Sequence, residues 1–174
     1  CFARKNHSVR QKIEKIVEEM PANATCIKMH LRSSSGTLAL IRRVIVACVQ
    51  HLGLTSTTLE GVKLATTEAC TNIIKHAYKF DETKSFDMEL KSSCNVFVIE
   101  LLYSDPGFEP CNIPIRNLKE VREGGYGVFL MQNIMDYVNY VTDTKTGEVR
   151  LQMVKILNSE KCSGGSSENR TNIK

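Results

Sequence analysis

The amino-acid sequence predicts an α+β fold, a two-layer sandwich in which helices cover one face of a mixed β-sheet. Segments with period-two alternation of apolar and polar residues, typical of strands, lie at 24–31, 85–91, 96–104, 137–142 and 149–156. Apolar segments with helical periodicity lie at 37–52, 56–78 and 127–135. The resulting order is strand, two helices, two strands, loop, helix and two strands, which favours helices packed on one sheet.

Capping residues and helix breakers set the predicted helix boundaries. An additional amphipathic helix over 8–20 ends at Pro21. We expect it to pack on the domain, with pairing to a second subunit or membership of an upstream region as alternatives. Gly53 ends the helix that begins near Thr37, and Thr55 or Ser56 caps the next one. The buried side of that long helix is predicted to consist of Leu59, Val62, Leu64, Ala65, Ala69, Ile73 and Ala77.

Length and composition indicate a single globular domain of 174 residues, with an N-terminal helix and linker at 1–23, the domain at 24–157 and a flexible tail at 158–174. The longest apolar stretch, Val44 to Val49, is too short to cross a bilayer, and no signal-peptide pattern opens the chain. We therefore expect a cytoplasmic protein without a membrane partner. Because the chain starts at Cys1 rather than Met, it is consistent with a piece of something longer.

The net charge and the cysteine pattern argue against several further classes of protein. The net charge of +4 is mild, the basic residues are scattered and Trp is absent, so direct nucleic-acid binding is not expected. Seven cysteines without a Cys-x-x-Cys pair argue against a zinc site and against a secreted disulfide framework. Cys48 and Cys70 lie in apolar helical patterns and are expected to be small buried side chains.

A polar triplet on the long helix is the first candidate site. Glu68, Asn72 and His76 follow one another at four-residue spacing, which places side chains on one face of an α-helix. A carboxylate and a carboxamide oxygen suit a hard cation such as Mg²⁺, and Glu68 is also a candidate general base. A solvated polar stripe would have the same spacing, so the triplet requires support from elsewhere in the chain.

Two glycine-containing segments provide that support. Glu123-Gly124-Gly125-Tyr126-Gly127 opens a predicted helix, and glycines at a helix N-terminus let backbone N–H groups approach phosphate oxygens. The alternative is an ordinary loop that enters a helix. Asp105-Pro106-Gly107 directly follows a strand, where an Asp can accept a hydrogen bond from a purine amine; the alternative is a simple turn.

Taken together, the three segments resemble a known family. The order Glu-x-x-x-Asn-x-x-x-His-Ala-Tyr, Asp-x-Gly-Phe-Glu-Pro and Glu-Gly-Gly-x-Gly resembles the histidine-kinase-like (GHKL) ATPase domain of gyrase, heat-shock chaperones and histidine kinases. More narrowly it resembles the anti-sigma-factor serine/threonine kinases, over roughly 24–156. The resemblance implies a Bergerat-type sandwich, the cofactors ATP and Mg²⁺, and phosphorylation of a Ser or Thr on a small anti-anti-sigma protein. It also implies a sigma factor as second partner and a possible homodimer.

The resemblance also implies residue roles. Glu68 would be the general base and Asn72 the Mg²⁺ ligand, with His76 beside them; a His76 bonded to backbone is preferred over a phosphoacceptor. Asp105 and Gly107 would contact adenine. The nucleotide phosphates would be bound beneath a lid at 111–122 by Gly124, Gly125, Gly127 and Val128.

The chain departs from the family pattern at the adenine end. Pro106 to Pro110 also matches the family's Pro-Gly-Phe-Asp-Pro, and in that register Tyr103 rather than Asp105 takes the place of the adenine-binding Asp. The alternation of side chains along the strand does not distinguish the two registers, since Tyr103 and Asp105 point to the same face. The last hairpin carries Gly147-Glu148 where the family often has Gly-Thr. The rival hypotheses are a non-catalytic anti-sigma or scaffold module and the output domain of a larger regulatory protein.

Overall fold

The computed structural model describes residues 7–21, 24–50, 52, 54–93, 95–109 and 126–157. Its elements follow the predicted order, with boundaries that differ by a few residues. The helices are α1 (His7–Glu18), α2 (Ser35–Gln50), α3 (Ser56–Asn72), which continues into a π-helical turn (Ile73–Ala77), and α4 (Tyr126–Ile134). The strands are β1 (Thr25–Arg32), β2 (Ser85–Ser92), β3 (Val96–Ser104), β4 (Tyr137–Asp143) and β5 (Glu148–Ile156). The predicted tail at 158–174 lies outside the described residues.

The five strands form one sheet in the order β1-β2-β3-β5-β4. All four pairings between described strands are antiparallel, so the predicted α+β two-layer class is confirmed but its mixed sheet is corrected. The helices α2 and α3 lie between β1 and β2 in sequence and return the chain so that the two strands run in opposite directions. A strand pattern in the sequence shows that a segment is extended, whereas its direction depends on how the intervening helices pack.

The two faces of the sheet have different coverings. The helix-facing side is the main core and contains Phe86, Phe97, Ile99 and Leu151, all nearly or fully buried. On the other face α1 buries Ile13 against a small apolar cluster, whose remaining fully covered members are Val96, Val98 and Val154. The predicted packing of α1 on the domain is therefore confirmed.

The rest of that second face is polar. It carries the ion pairs of Lys91 with Glu89 and Glu100, and an open groove of about 490 Å³. Charged side chains such as Lys28 and Arg150 line this groove, on the side of the sheet opposite α2, α3 and α4.

Helix α3 is the central element of the helical layer. Thr55 caps it in an extended conformation, and its hydroxyl accepts a hydrogen bond from the Thr58 N–H at 3.2 Å. Val62, Ala65 and Ala69 are fully buried, as predicted. Leu64 is 42% exposed and corrects the prediction, because two residues at about 100° each turn it away from Val62.

None of the helices within the described ranges is both long and apolar enough to cross a membrane. The two cysteines that were expected to be buried differ in environment. Cys70 is fully buried and its pKa is strongly raised by that burial, whereas Cys48 is only half-buried. Cys70 therefore behaves as a core residue and Cys48 as a residue at the edge of the core.

Candidate functional site

The C-terminal half of α3 and the N-terminus of α4 form the centre of the candidate site. The structure brings three predicted residues together: a Cβ atom added to Gly127 would lie 2.9 Å from Glu68 Oε2. The same position is 3.4 Å from Asn72 Nδ2 and 3.5 Å from Asn72 Oδ1. Both polar side chains therefore meet over the backbone of the first turn of α4. A side chain at position 127 would occupy this space, which explains why the site needs glycine there.

A second glycine contact shows how α4 is placed. Gly61, near the start of α3, lies against the end of α4, and a Cβ there would be 3.1 Å from Ile134 Cγ2. Because Gly61 faces the end of α4 while Glu68 and Asn72 face its start, the two helices run antiparallel. The close approach of Gly61 and Ile134 therefore fixes the distance from α3 at which Gly127 meets the polar pair.

The π-helical turn after Asn72 changes the position of His76, the third member of the predicted triplet. The Tyr78 N–H donates to the Ile73 carbonyl at 2.9 Å, so the turn holds one more residue than an α-helical turn. His76 within this turn is exposed. Among the described residues the His76 side chain makes no hydrogen bond, so the predicted bond from its ring to the backbone is absent there. Glu68 and Asn72 meet at Gly127, whereas the His76 side chain is exposed at the end of the helix.

Tyr78 connects the end of this helix to the sheet. Its hydroxyl donates to the Ser85 carbonyl at 2.7 Å and accepts a hydrogen bond from the Ser104 N–H at 3.3 Å. Burial raises the pKa of Tyr78, against the lowering effect of the Ser104 N–H. Tyr78 thereby holds the helix that carries Asn72 against the ends of β2 and β3. Tyr78 belongs to the motif that ends in His-Ala-Tyr, but its positioning role has no local signal in the sequence.

The predicted base end of the site is a turn braced by the last hairpin. The Phe108 N–H donates to the Asp105 carbonyl at 3.0 Å, which closes the turn, and the Asp105 N–H donates to the Gly147 carbonyl at 2.8 Å. Gly147 has φ of +71°, and a Cβ there would lie 2.9 Å from the Cα and Cγ atoms of Pro106. Gly147 is thus required by its backbone angle and by its contact with Pro106. Gly107 is exposed, and a Cβ there would be 3.9 Å from Asp105 Oδ1.

Tyr103 lies on the helix-facing side of the sheet and is only 7% exposed. Its ring centroid is 6.5 Å from that of Phe108 in an edge-on arrangement, and the Phe108 centroid is 5.2 Å from that of Tyr140. The strand partner of Tyr103 is Val149, so Val149 rather than the exposed Glu148 shares its face. Asp105 lies beyond the end of β3 and is partly exposed. The two residues that compete for the adenine position therefore differ: Tyr103 is inside the helix–sheet interface and Asp105 is in the following turn.

The oxygen atoms around Gly127 fit Mg²⁺ better than a transition metal. They come from one carboxylate and one carboxamide, which are the hard ligands that Mg²⁺ prefers, alongside phosphates and water. Within the described part of the chain no three His, Cys, Asp or Glu side chains form a metal-binding group. A magnesium–nucleotide site does not need such a group, because one or two protein ligands suffice when the substrate phosphates take part.

Some predicted site residues fall outside the described part of the chain. These are the predicted lid at 111–122 and two phosphate-binding residues, Gly124 and Gly125. Val128 is described: it is half-buried and packs on the main core directly after Gly127.

Sequence comparison places these features in a known context. Residues 31–155 match the family described as the histidine kinase-like ATPase domain. The serine-protein kinase RsbW of Bacillus subtilis is 29% identical over 152 residues, covering 82% of this chain and 92% of that protein. RsbW of Staphylococcus epidermidis is 30% identical over 154 residues, covering 81% of this chain and 92% of that protein.

Solved structures with the same fold are more distant in sequence. The RsbU and RsbW domains of a Mycobacterium tuberculosis protein superpose with a TM-score of 0.55 at 10% identity, covering 76% of this chain and 32% of that chain. The SiaB–SiaC complex of Pseudomonas aeruginosa gives a TM-score of 0.54 at 8% identity, covering 87% and 99% of the two chains. The family match over most of the described fold, together with the RsbW relatives, means that this chain belongs to the histidine kinase-like ATPase domain family, among the RsbW-type serine-protein kinases.

Proposed function

We propose that this chain is an ATP-dependent serine/threonine kinase that acts as an anti-sigma factor and phosphorylates a small anti-anti-sigma protein in a partner-switching pathway. The observation that carries the proposal is the meeting of Glu68 and Asn72 over Gly127 at the start of α4. The RsbW relatives named as serine-protein kinases support the reaction class. A pathway that controls a sigma factor operates in the cytoplasm, and we assign the chain to that compartment.

In this proposal the residues of α3 and α4 divide the work of phosphoryl transfer. Glu68 accepts the proton of the attacking Ser or Thr hydroxyl, and the Asn72 side-chain oxygen is the protein ligand of Mg²⁺. When bound, the ion would neutralise phosphate charge. Gly127 leaves space beside both side chains for the phosphates. Backbone N–H groups at a helix N-terminus, as at the start of α4, would bond their oxygens. Gly124, Gly125 and Val128 complete the phosphate contacts as the family resemblance implies.

The base end of the nucleotide is assigned to the ends of β3 and β5. Asp105 and Gly107 in the turn, and Tyr103 on the strand, are the residues that can approach a purine there. His76, which is exposed at the end of the helix, is assigned to the rim of the nucleotide site. A homodimer and the sigma factor as second partner belong to the same proposal and rest on the family resemblance alone.

A phosphoryl-transfer assay with a matched variant tests the proposal. The purified chain is incubated with Mg²⁺, γ-labelled ATP and a candidate anti-anti-sigma protein, and mass spectrometry locates the label on the partner. We expect transfer to one Ser or Thr, and loss of transfer with retained ATP binding in Glu68→Gln. Absence of saturable Mg²⁺-ATP binding at millimolar concentration contradicts the proposal.

The rival function is a non-catalytic module that sequesters a partner. The specific observation that favours it is Tyr103, a neutral and nearly buried residue at one of the two positions aligned with the adenine-binding Asp. ATP binding without transfer to any candidate partner, with partner binding intact, supports this alternative.

A further inference from the structure

Three aromatic side chains from three different segments meet at the base end of the proposed nucleotide site. Tyr103 comes from β3, Phe108 from the turn after it and Tyr140 from β4. The centroid distances are 6.5 Å for Tyr103 and Phe108 and 5.2 Å for Phe108 and Tyr140. Phe108 and Tyr140 are half-buried and border the main core, as does Val128 next to Gly127. The aromatic cluster and the Glu68–Asn72 pair therefore border the same helix–sheet interface.

The two tyrosine hydroxyls of this cluster have hydrogen-bonding capacity that the described residues do not use. No hydrogen bond to Tyr103 Oη or Tyr140 Oη is formed within the described residues, whereas Tyr78 and Tyr137 each bond other groups. Ser33 Oγ is the one fully buried side-chain oxygen without a partner in the described chain, so neither tyrosine hydroxyl is sealed from solvent. Each hydroxyl can therefore bond a ligand in place of water, without breaking a hydrogen bond within the described part of the protein.

The protonation state of the cluster defines what it offers to a ligand. Burial is the main cause that raises the pKa of Tyr103, with Tyr140 and Asp105 adding to it, and burial also raises the pKa of Tyr140. Both side chains are therefore neutral at physiological pH. A neutral tyrosine hydroxyl donates one hydrogen bond and also accepts, whereas a carboxylate only accepts.

We propose that Tyr103 and Tyr140, with the Phe108 ring, read the purine base of the nucleotide, and that the site therefore accepts both ATP and GTP. This inference rests on the proposed function, since it assumes that a nucleotide binds beside Glu68. An adenine presents an amine at position 6, which a hydroxyl accepts. A guanine presents an oxygen there, to which the same hydroxyl donates. Stacking on an aromatic ring adds affinity without choosing between bases.

Asp105 is the alternative residue for recognition of the base. Its carboxylate is near enough to Tyr103 and Tyr78 to raise the pKa of each, but it is partly exposed and its backbone closes the turn at the strand end. A carboxylate that faced the base would select the amine of adenine and repel the oxygen of guanine. The two readings therefore predict different preferences between ATP and GTP.

The test is a calorimetric titration of the full chain with Mg²⁺-ATP and Mg²⁺-GTP. We expect dissociation constants within about threefold of each other for the wild type. In Tyr103→Phe we expect both to weaken by a similar factor, about three- to tenfold, since one hydrogen bond to either base is lost. Circular dichroism checks that this buried but conservative variant folds. Unchanged affinity in the folded variant overturns the role of the Tyr103 hydroxyl.

Asp105→Asn distinguishes the two modes of base recognition, because Asp105 belongs to the same proposed base site. We expect it to leave the ratio of ATP to GTP affinity unchanged. A wild type that prefers ATP by more than about thirtyfold, with that preference lost in Asp105→Asn, overturns the inference while the proposed kinase function stands. A wild type that binds neither nucleotide overturns the proposed function and the inference together.

Discussion

Gly127→Ala separates the chemistry of the site from the stability of the fold. The added methyl carbon would lie 2.9 Å from Glu68 Oε2, whereas ordinary contacts begin at 3.4 Å, so the carboxylate must retreat by about half an ångström. The atom that moves is the end of a flexible side chain, and alanine is favoured over glycine in a helix by up to about 1 kcal/mol. We therefore expect an unfolding free energy equal to that of the wild type or higher by at most about 1 kcal/mol.

Activity is expected to respond differently. A displaced general base loses part of a contribution that is typically about 10²- to 10⁴-fold, and misplacement by about 1 Å costs about 10²-fold. The methyl group also contacts Asn72 and fills space assigned to the phosphates. We expect the rate of phosphoryl transfer to fall by about ten- to a hundredfold, with weaker Mg²⁺-ATP binding. The transfer assay gives the rate, and calorimetry gives the affinity.

Gly61→Ala is the control on the same pair of helices. Its methyl group would lie 3.1 Å from Ile134 Cγ2, away from Glu68 and Asn72. Overpacking costs about 1–3 kcal/mol and the helical preference for alanine offsets about 1 kcal/mol, so stability is expected to fall modestly. Activity per folded molecule is expected to stay within about threefold of the wild type. A Gly127→Ala protein with wild-type transfer rate, or one that loses stability as Gly61→Ala does, refutes the reasoning.

Three other substitutions probe separate parts of the molecule. Glu68→Gln is expected to lower the transfer rate by about 10²- to 10⁴-fold with little change in ATP affinity, as measured by single-turnover kinetics; a retained rate contradicts its role as base. Gly147→Ala is expected to destabilise the protein by about 1–3 kcal/mol in urea unfolding, because an alanine at φ of +71° is strained and contacts Pro106; an unchanged midpoint contradicts this. Burial and the Glu14 carboxylate raise the pKa of Tyr137 to about 12, so its protonated form is favoured in the folded state. The stability that Tyr137 contributes to the folded state is therefore fully present below the unfolded pKa of about 10, and it is lost as pH rises toward 12. We expect Tyr137→Phe to be about 1 kcal/mol less stable than the wild type at pH 8, with a difference that shrinks above pH 10; a constant difference contradicts the linkage.

The secondary structure was predictable because each element has a local signal. The alternation of Cys26, Lys28 and His30 with apolar neighbours predicted β1, and all three side chains are exposed in the structure. Thr55 was one of two predicted caps, and its hydroxyl makes the capping hydrogen bond. Strand direction had no such signal, because it depends on how α2 and α3 return the chain to the sheet.

The site was predictable only in part, for a related reason. Glu68 and Asn72 were found from their spacing, and Gly127 from its place before a helix. Their mutual contact required the antiparallel packing of α3 and α4, which no local pattern contains. The π-helical turn at His76 could not be predicted either, because the same pattern of apolar and polar residues fits one turn of an α-helix or of a π-helix. The cluster of Tyr103, Phe108 and Tyr140 depends on strand pairing between distant segments and had no sequence signal.

The two ends of the proposed nucleotide site are built from different structural elements, and this difference determines at which end the residues can change. Glu68, Asn72 and Gly127 are held by two packed helices, so a change at any of them alters either the core or the chemistry. The base end is built from a strand end and two turns, where Tyr103 and Pro106 are neighbours of the last hairpin. A tyrosine at position 103, where one register of the family pattern aligns an aspartate, can be accommodated there, because its ring packs against Phe108 within the helix–sheet interface. We infer that base recognition can change in this fold while the phosphate and proton-transfer geometry is kept.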